Sequence, residues 1–405
     1  MMAAALSTCD LPAVIEQVRR AHGWSQRDLA SVVGYSQTWV SNVLRRQQAL
    51  TIDQVRDLAN RLRVPLHLLR FDGLGGDDPT KRRDFGKSLA LALLPLPTRT
   101  DVNETTASTL TAITGAQRRL DATSPARELA RGVTAHVEMA NRLLARSQRS
   151  PFAADIAAAV SEAAGFAAWL HMDMHDVGTA RAYYRMAIER ARNAGNGLLA
   201  AYMLGSLAAF EIDEKDPELG VALIGKARQQ IGTEPHPTAR AWMKSIEALG
   251  HATAHRDSAA KRALAEAENA VEATNANSTP PWPWVFPFGH AKLAGYRALV
   301  AVRLDRPAEA LAAFAESLPT TQPAPKQRAL IMLEVATAVR QSGEKTRDQG
   351  RIGEAFNLAR EALAIGMESA SERVVQRARR FRRGYTGATI GDVRDFDHQL
   401  RRTFP

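Results

Sequence analysis

The side chains best suited to recognising another molecule lie in one short run, Ser36-Gln37-Thr38-Trp39-Val40-Ser41-Asn42-Val43-Leu44-Arg45-Arg46. On a helix, Val40, Val43 and Leu44 share one face, which leaves Gln37, Thr38, Ser41, Asn42 and Arg45 on the other. That outer face is made of carboxamides and hydroxyls, which both donate and accept hydrogen bonds, and it ends in cations. Two other constellations invite a chemical reading. His171-Met-Asp-Met-His175 and His251-Ala-Thr-Ala-His255 each set two imidazoles one helical turn apart, a zinc-binding spacing. Neither is a His-Glu-x-x-His, and a third ligand such as Asp173 or Glu247 is not identified by the sequence. There is no glycine-rich phosphate loop with Lys-Ser/Thr, no Gly-x-Ser-x-Gly, and the single cysteine, Cys9, has no partner for nucleophilic work. The expectation is a protein that is not an enzyme and uses no metal or other cofactor.

The polar run needs elements to hold it. Ser25 is a good N-cap with Asp28 three residues on, so a helix starts there; Leu29, Ala30 and Val33 supply its inward face. Gly34 stands where the chain must turn left-handed, which glycine adopts cheaply, and Ser36 then caps the polar helix. Two short helices joined by a tight glycine turn, the second polar and exposed, are what a helix-turn-helix needs to enter the DNA major groove. Ala30 is small enough for the close crossing.

This stretch resembles the lambda-repressor/Cro type of DNA reader, the XRE family. The resemblance sets helix 1 at 11–23, helix 2 at 25–33, helix 3 at 36–46, helix 4 at 52–62 and a short helix 5 at 65–69. It implies roles residue by residue. Gln26 matches a glutamine that contacts phosphate and braces the recognition helix. Gln37 matches a position that often reads adenine, for which a carboxamide offers a paired donor and acceptor. Thr38, Ser41 and Asn42 are further base-edge candidates beside the capping Ser36, while Arg45, Arg46 and Arg27 would hold phosphate and so position the domain. Trp39 fits either a DNA contact or packing against helix 2 or helix 4. Leu44 and Arg46 stand where many members carry glutamate and glycine, so the turn into helix 4 is expected to differ.

The rest of the chain sets limits on function. Its 405 residues allow two or three units at about 150 residues each, and 45% apolar content is enough for a core in each. A net charge of +10 attracts polyanions without choosing among them. The first 75 residues hold nine arginines and six carboxylates, a modest excess for a DNA reader that dimerisation would double. One cysteine fits a reducing interior, and Met1 to Asp10 lacks a basic stretch followed by an apolar core, so the cytoplasm is expected. The longest apolar run, around Leu89 to Leu96, is well short of the ~20 residues of a spanning helix, so no membrane partner is expected. Lys81-Arg82-Arg83-Asp84-Phe85 imitates a twin-arginine export signal but sits behind a folded unit, where a basic linker is the plainer reading.

The expected fold is all-α, with a five-helix DNA-reading domain at 1–71, a Gly/Asp-rich linker at 72–97 and an Ala-rich helical region at 98–405. In that last region small residues seven apart recur at Ala180/Ala187, Gly220/Ala227, Ala260/Ala267, Ala310/Ser317 and Ala355/Ala362, with steps of 40, 40, 50 and 45. Tyr183, Leu223, Leu264, Phe314 and Phe356 are their bulky companions. The pattern resembles tetratricopeptide repeats, best in 306–317 and 351–362, which implies a helical-hairpin solenoid whose groove takes a peptide or small signal. Pro280-Pro-Trp-Pro-Trp-Val-Phe-Pro-Phe288 interrupts it; this loop either plugs its aromatics into the solenoid or, through Trp282 and Trp284 with Tyr296 nearby, lines the ligand groove. Arg373, Arg377, Arg379, Arg380, Arg382 and Arg383 are expected to face solvent while Val374, Val375, Ala378 and Phe381 cap the last repeat. The combination resembles Gram-positive, actinomycete-type regulators in which a signal controls a DNA-binding domain. It implies a homodimeric transcriptional regulator on a double-stranded, inverted-repeat operator. The alternative is an adaptor acting through protein contacts.

Overall fold

A computed structural model describes residues 11–45, 47–48, 52–62, 102–232, 236–274, 288–317 and 324–403. The chain divides into two compact units, 1–99 and 100–405, and the described residues contain helices and no strands. The expected linker at 72–97, helix 5 at 65–69 and the pair Trp282 and Trp284 lie outside the described residues.

In the first unit four helices are described: α1 (Leu11–Ala21), α2 (Gln26–Val33), α3 (Gln37–Leu44) and α4 (Ile52–Arg61). Each contributes to one apolar cluster, in which Val14, Ile15 and Val18 of α1 meet Leu29, Ala30 and Val33 of α2, Val40 and Val43 of α3, and Val55 and Leu58 of α4. These positions recur at helical spacing, so burial of one stripe from each helix fixes all four.

The second unit opens with α5 (Glu104–Leu120) and α6 (Ala126–Arg146), which pack on α7 (Ala153–Asp173). Hairpins follow. Helix α7 pairs with α8 (Val177–Asn193), α9 (Gly197–Asp213) with α10 (Pro217–Ile231), and α11 (Pro237–Thr253) with α12 (Asp257–Glu272). Next, α13 (His290–Arg303) pairs with α14 (Pro307–Glu316), and α15 (Pro325–Thr346) with α16 (Gln349–Glu368); α17 (Glu372–Arg383) and α18 (Gly391–Arg401) pack on α16. The small-residue pairs all fall on the second hairpin helices or, for Ser317, at the C-cap of α14, and every one except the half-buried Ser317 is buried. A small side chain there lets the two backbones approach. Gly205 shows the same device on a first helix, since a Cβ would come within 2.5 Å of the Trp242 ring.

The hairpins share one bend. His175, Lys215, His255, Asp305 and Arg347 each adopt the left-handed conformation, with φ between 54° and 71°. In each case the following N–H reaches back to a carbonyl five residues earlier, as Asp176 does to His171 (2.8 Å) and Arg306 to Ala301 (2.9 Å). This corrects the premise of both histidine pairs. His175 and His255 have left their helices at the bend, so neither shares a helical face with His171 or His251. His171 instead pairs with Asp176 at 3.1 Å and stacks on Tyr183. Asp173 and Glu247 are engaged by Lys326 and by Lys244.

Two further expectations change. Helix α7 is long and apolar enough to cross a membrane by length and composition, although 67% of its apolar window is buried in this unit, as for a core helix. The α17 arginines do not all face solvent: only Arg383 is exposed, and Arg377 and Arg380 form ion pairs with carboxylates of other helices. The apolar side of α17 packs with α16 and α18.

Candidate nucleic-acid interface

Three local devices present α3. Ser25 caps α2 in a reciprocal box: its hydroxyl accepts from the Asp28 N–H at 3.2 Å, and its own N–H donates to the Asp28 carboxylate at 2.9 Å. Hydrogen bonding to the Ser25 side chain, and then from the Ser25 N–H, holds the Asp28 carboxyl below its ordinary pKa. Gly34 ends α2 at φ 69°, ψ 24°, with its N–H returned to Ala30. A Cβ at Gly34 would stand 2.6 Å from Nη1 of Arg61, the tip of an α4 side chain, which would have to swing away. The Ser36 hydroxyl then accepts from the Trp39 N–H at 3.1 Å and starts α3.

The result is an amphipathic helix with its apolar half spent. Val40 and Val43 are buried, whereas Gln37, Thr38 and Arg45 are exposed and Ser41 and Asn42 half-buried. Among the described residues none of the side chains of Gln37, Thr38, Ser41 or Asn42 has a hydrogen-bond partner. A row of unspent donors and acceptors, without a carboxylate among them, is suited to meeting base edges beside phosphates. Arg45 forms the C-cap, close to where a backbone phosphate would run beside such a helix.

Trp39 is half-buried. Its ring stacks on Tyr35 at 3.9 Å and 14°, and it packs against the apolar cluster shared by the four helices. Tyr35 in turn donates to Asp57 at 3.3 Å, and Asp57 accepts from Arg61 at 2.8 Å. Burial and the Asp57 charge push the Tyr35 hydroxyl above its ordinary pKa, so it stays a donor. This brace from Tyr35 to α4 was missed in the sequence; the one available signal was two aromatics four residues apart at the entry to α3. Gln26, the first residue of α2, is half-buried and Arg27 exposed. Arg46 lies outside the described residues.

Residues 11–71 match the family model of a helix-turn-helix domain. No curated protein matches the chain. The helix-turn-helix domain gives the first unit a DNA-reading architecture, with α2 as the supporting helix and α3 as the presented one.

The groove candidates from the second unit are less open. Tyr296, on α13, is half-buried, with Phe288 tilted against it at 5.8 Å. Burial pushes its hydroxyl pKa up to about 12, partly offset by a hydrogen bond from Trp242. Phe288, the last residue of the Pro/Trp stretch, is buried in the apolar cluster of the α7–α12 hairpins. Tyr296 thus sits in an aromatic wall with Trp242 and Phe288.

Proposed function

We propose that this chain is a sequence-specific, non-catalytic DNA-binding regulator of transcription, and that it acts in the cytoplasm. The observation that carries the reading is the exposed face of α3, where Gln37, Thr38, Ser41 and Asn42 hold unspent hydrogen-bonding groups on a helix capped at both ends of its turn. Gln37 and Asn42 read base edges, Thr38 and Ser41 add single hydrogen bonds, and Arg27, Arg45 and Arg46 hold phosphate. Gln26 braces the backbone contact. Trp39 supports α3 from behind and leaves its outer edge for the sugar-phosphate backbone.

The working form is a homodimer on an inverted repeat. The slight positive excess of residues 1–75 supports this, because one copy neutralises few phosphates and two copies on adjacent turns double the count. The tetratricopeptide-like unit supplies the dimer contact and the site for a peptide or small-molecule signal. The test is selection of binding sites by the full chain from random duplex DNA, followed by anisotropy titration. A two-fold symmetric site is expected. Gln37→Ala and Asn42→Ala should each relax preference at one base pair per half-site by about 5- to 150-fold, the equivalent of 1–3 kcal/mol. Recovery of no preferred sequence, or variants that bind with unchanged preference, would move the assignment to a protein adaptor.

A further inference from the structure

Helix α17 has two unlike faces. Val374, Val375, Ala378 and Phe381 are buried with α15, α16 and α18 in one apolar cluster. The other face meets the first hairpins through charge. Arg377 bridges Asp213, at the end of α9, and Glu334 of α15. Arg380 donates to the Asp213 carbonyl and to the Glu214 carboxylate, both at 2.7 Å. Arg373 lies 3.7 Å from Asp213 and 5.4 Å from the centre of the Trp169 ring on α7. Beside them the Ser371 hydroxyl donates to Asp173, which also takes the Lys326 ammonium at 3.1 Å. Arg303 grips Glu334 through bonds of 2.7 and 2.9 Å.

The apolar clusters are arranged differently. One spans α7 to α12 and the start of α13, another α13 to α15, and a third α15 to α18, each following chain order. Among the described residues no apolar cluster joins α17 to α7 or α9. The seam between the last helices and the first hairpins is therefore ionic, while each side of it is held by its own core. That division matters energetically. Parting a core exposes apolar surface, whereas parting an ion pair returns both charges to water and recovers most of their hydration. Closed and open seams differ by a small balance of large terms. Burial opposes ionisation of Asp213 and Glu334, but the facing guanidiniums outweigh it and hold both carboxyls ionised, Glu334 down to about 2.

We propose that α17 is an ionic latch, a reversible contact whose opening parts the last helices from the α7 and α9 hairpins while both cores stay folded. The latch does not rest on the DNA-reading assignment, since it is read within the second unit. The test uses the full chain with Cys9→Ser and spin labels at Lys226→Cys and Arg394→Cys, both exposed positions on opposite sides of the seam. Pulsed dipolar spectroscopy reads the distance. The parent should give one narrow distance at about 0.1 M salt and, because the pairs are largely buried and so weakly screened, only a small longer population towards about 1 M. Glu214→Arg and Arg380→Glu each place like charges across the seam and should populate the longer distance at low salt. The double exchange restores the 214–380 pair with its signs swapped but sets a carboxylate beside Asp213, so it should return the short distance in part. Single variants that keep the parent distance would overturn the latch. So would a double exchange that recovers none of the short distance, because the single effects would then be general loss of structure.

Discussion

Replacing Gly34 with alanine tests the joint on which the presented helix depends. Gly34 sits at φ 69°, where a left-handed backbone costs a residue with a Cβ roughly 1–2 kcal/mol. The new methyl would stand 2.6 Å from Nη1 of Arg61, so that guanidinium must move. Its pair with Asp57 is about half exposed and screened by solvent, so displacement adds little. The sum is about 1–2.5 kcal/mol, equivalent to a roughly 5- to 70-fold rise in the opening of α2 and α3. Hydrogen–deuterium exchange on the full chain measures this directly, peptide by peptide, with the second unit as an internal control. Gly34→Ala in an Arg61→Ala background should keep the backbone cost and lose the steric part. Gly34→Asn should recover much of the loss, because asparagine tolerates this conformation. Exchange of 26–44 that is unchanged or slower in Gly34→Ala would refute the reasoning.

Other outcomes follow from the same physics. Arg45→Ala should weaken DNA binding alike on all sequences and lower the slope of log affinity against log salt by about 1, as measured by anisotropy at several ionic strengths; a change confined to one base position would contradict a phosphate role. Burial raises the Glu162 carboxyl from 4.5 to about 7, only partly offset by Arg118. The folded chain then keeps a proton that the unfolded chain loses, so stability falls as pH rises from about 4.5 to about 7. Glu162→Gln should raise thermal stability at pH 8 by about 1–3 kcal/mol, after allowance for its partial exposure, and leave it nearly unchanged at pH 4. Equal effects at both pH values would show that the site is not charge-penalised.

The reading frame of the first unit was legible because its signals are local. Ser25, Gly34 and Ser36 each act within three or four residues, so capping chemistry marks the helix boundaries before any packing is known. The small residues of the hairpins were legible for a similar reason: close approach of two helices demands them wherever the partner lies. Two things were not legible. The arginines of α17 read as a solvated face because their carboxylates are far away in the chain, Asp213 being 164 residues from Arg377. The histidine pairs offered a zinc-binding spacing because spacing alone does not reveal that the second imidazole sits on a bend. The Trp39 position shows the limit of a motif, since its stack on Tyr35 depends on how far α4 stands off.

The shared bend makes the corner inside each pair of helices alike, so that corner does not fix how many pairs there are. What fixes the tally is the far end. Asp213 must arrive where Arg373, Arg377 and Arg380 wait, and one pair more or fewer would carry the carboxylate out of reach and leave Glu334 alone among them. The seam thus works as a ruler, a fixed-length gauge that holds a modular array to one size.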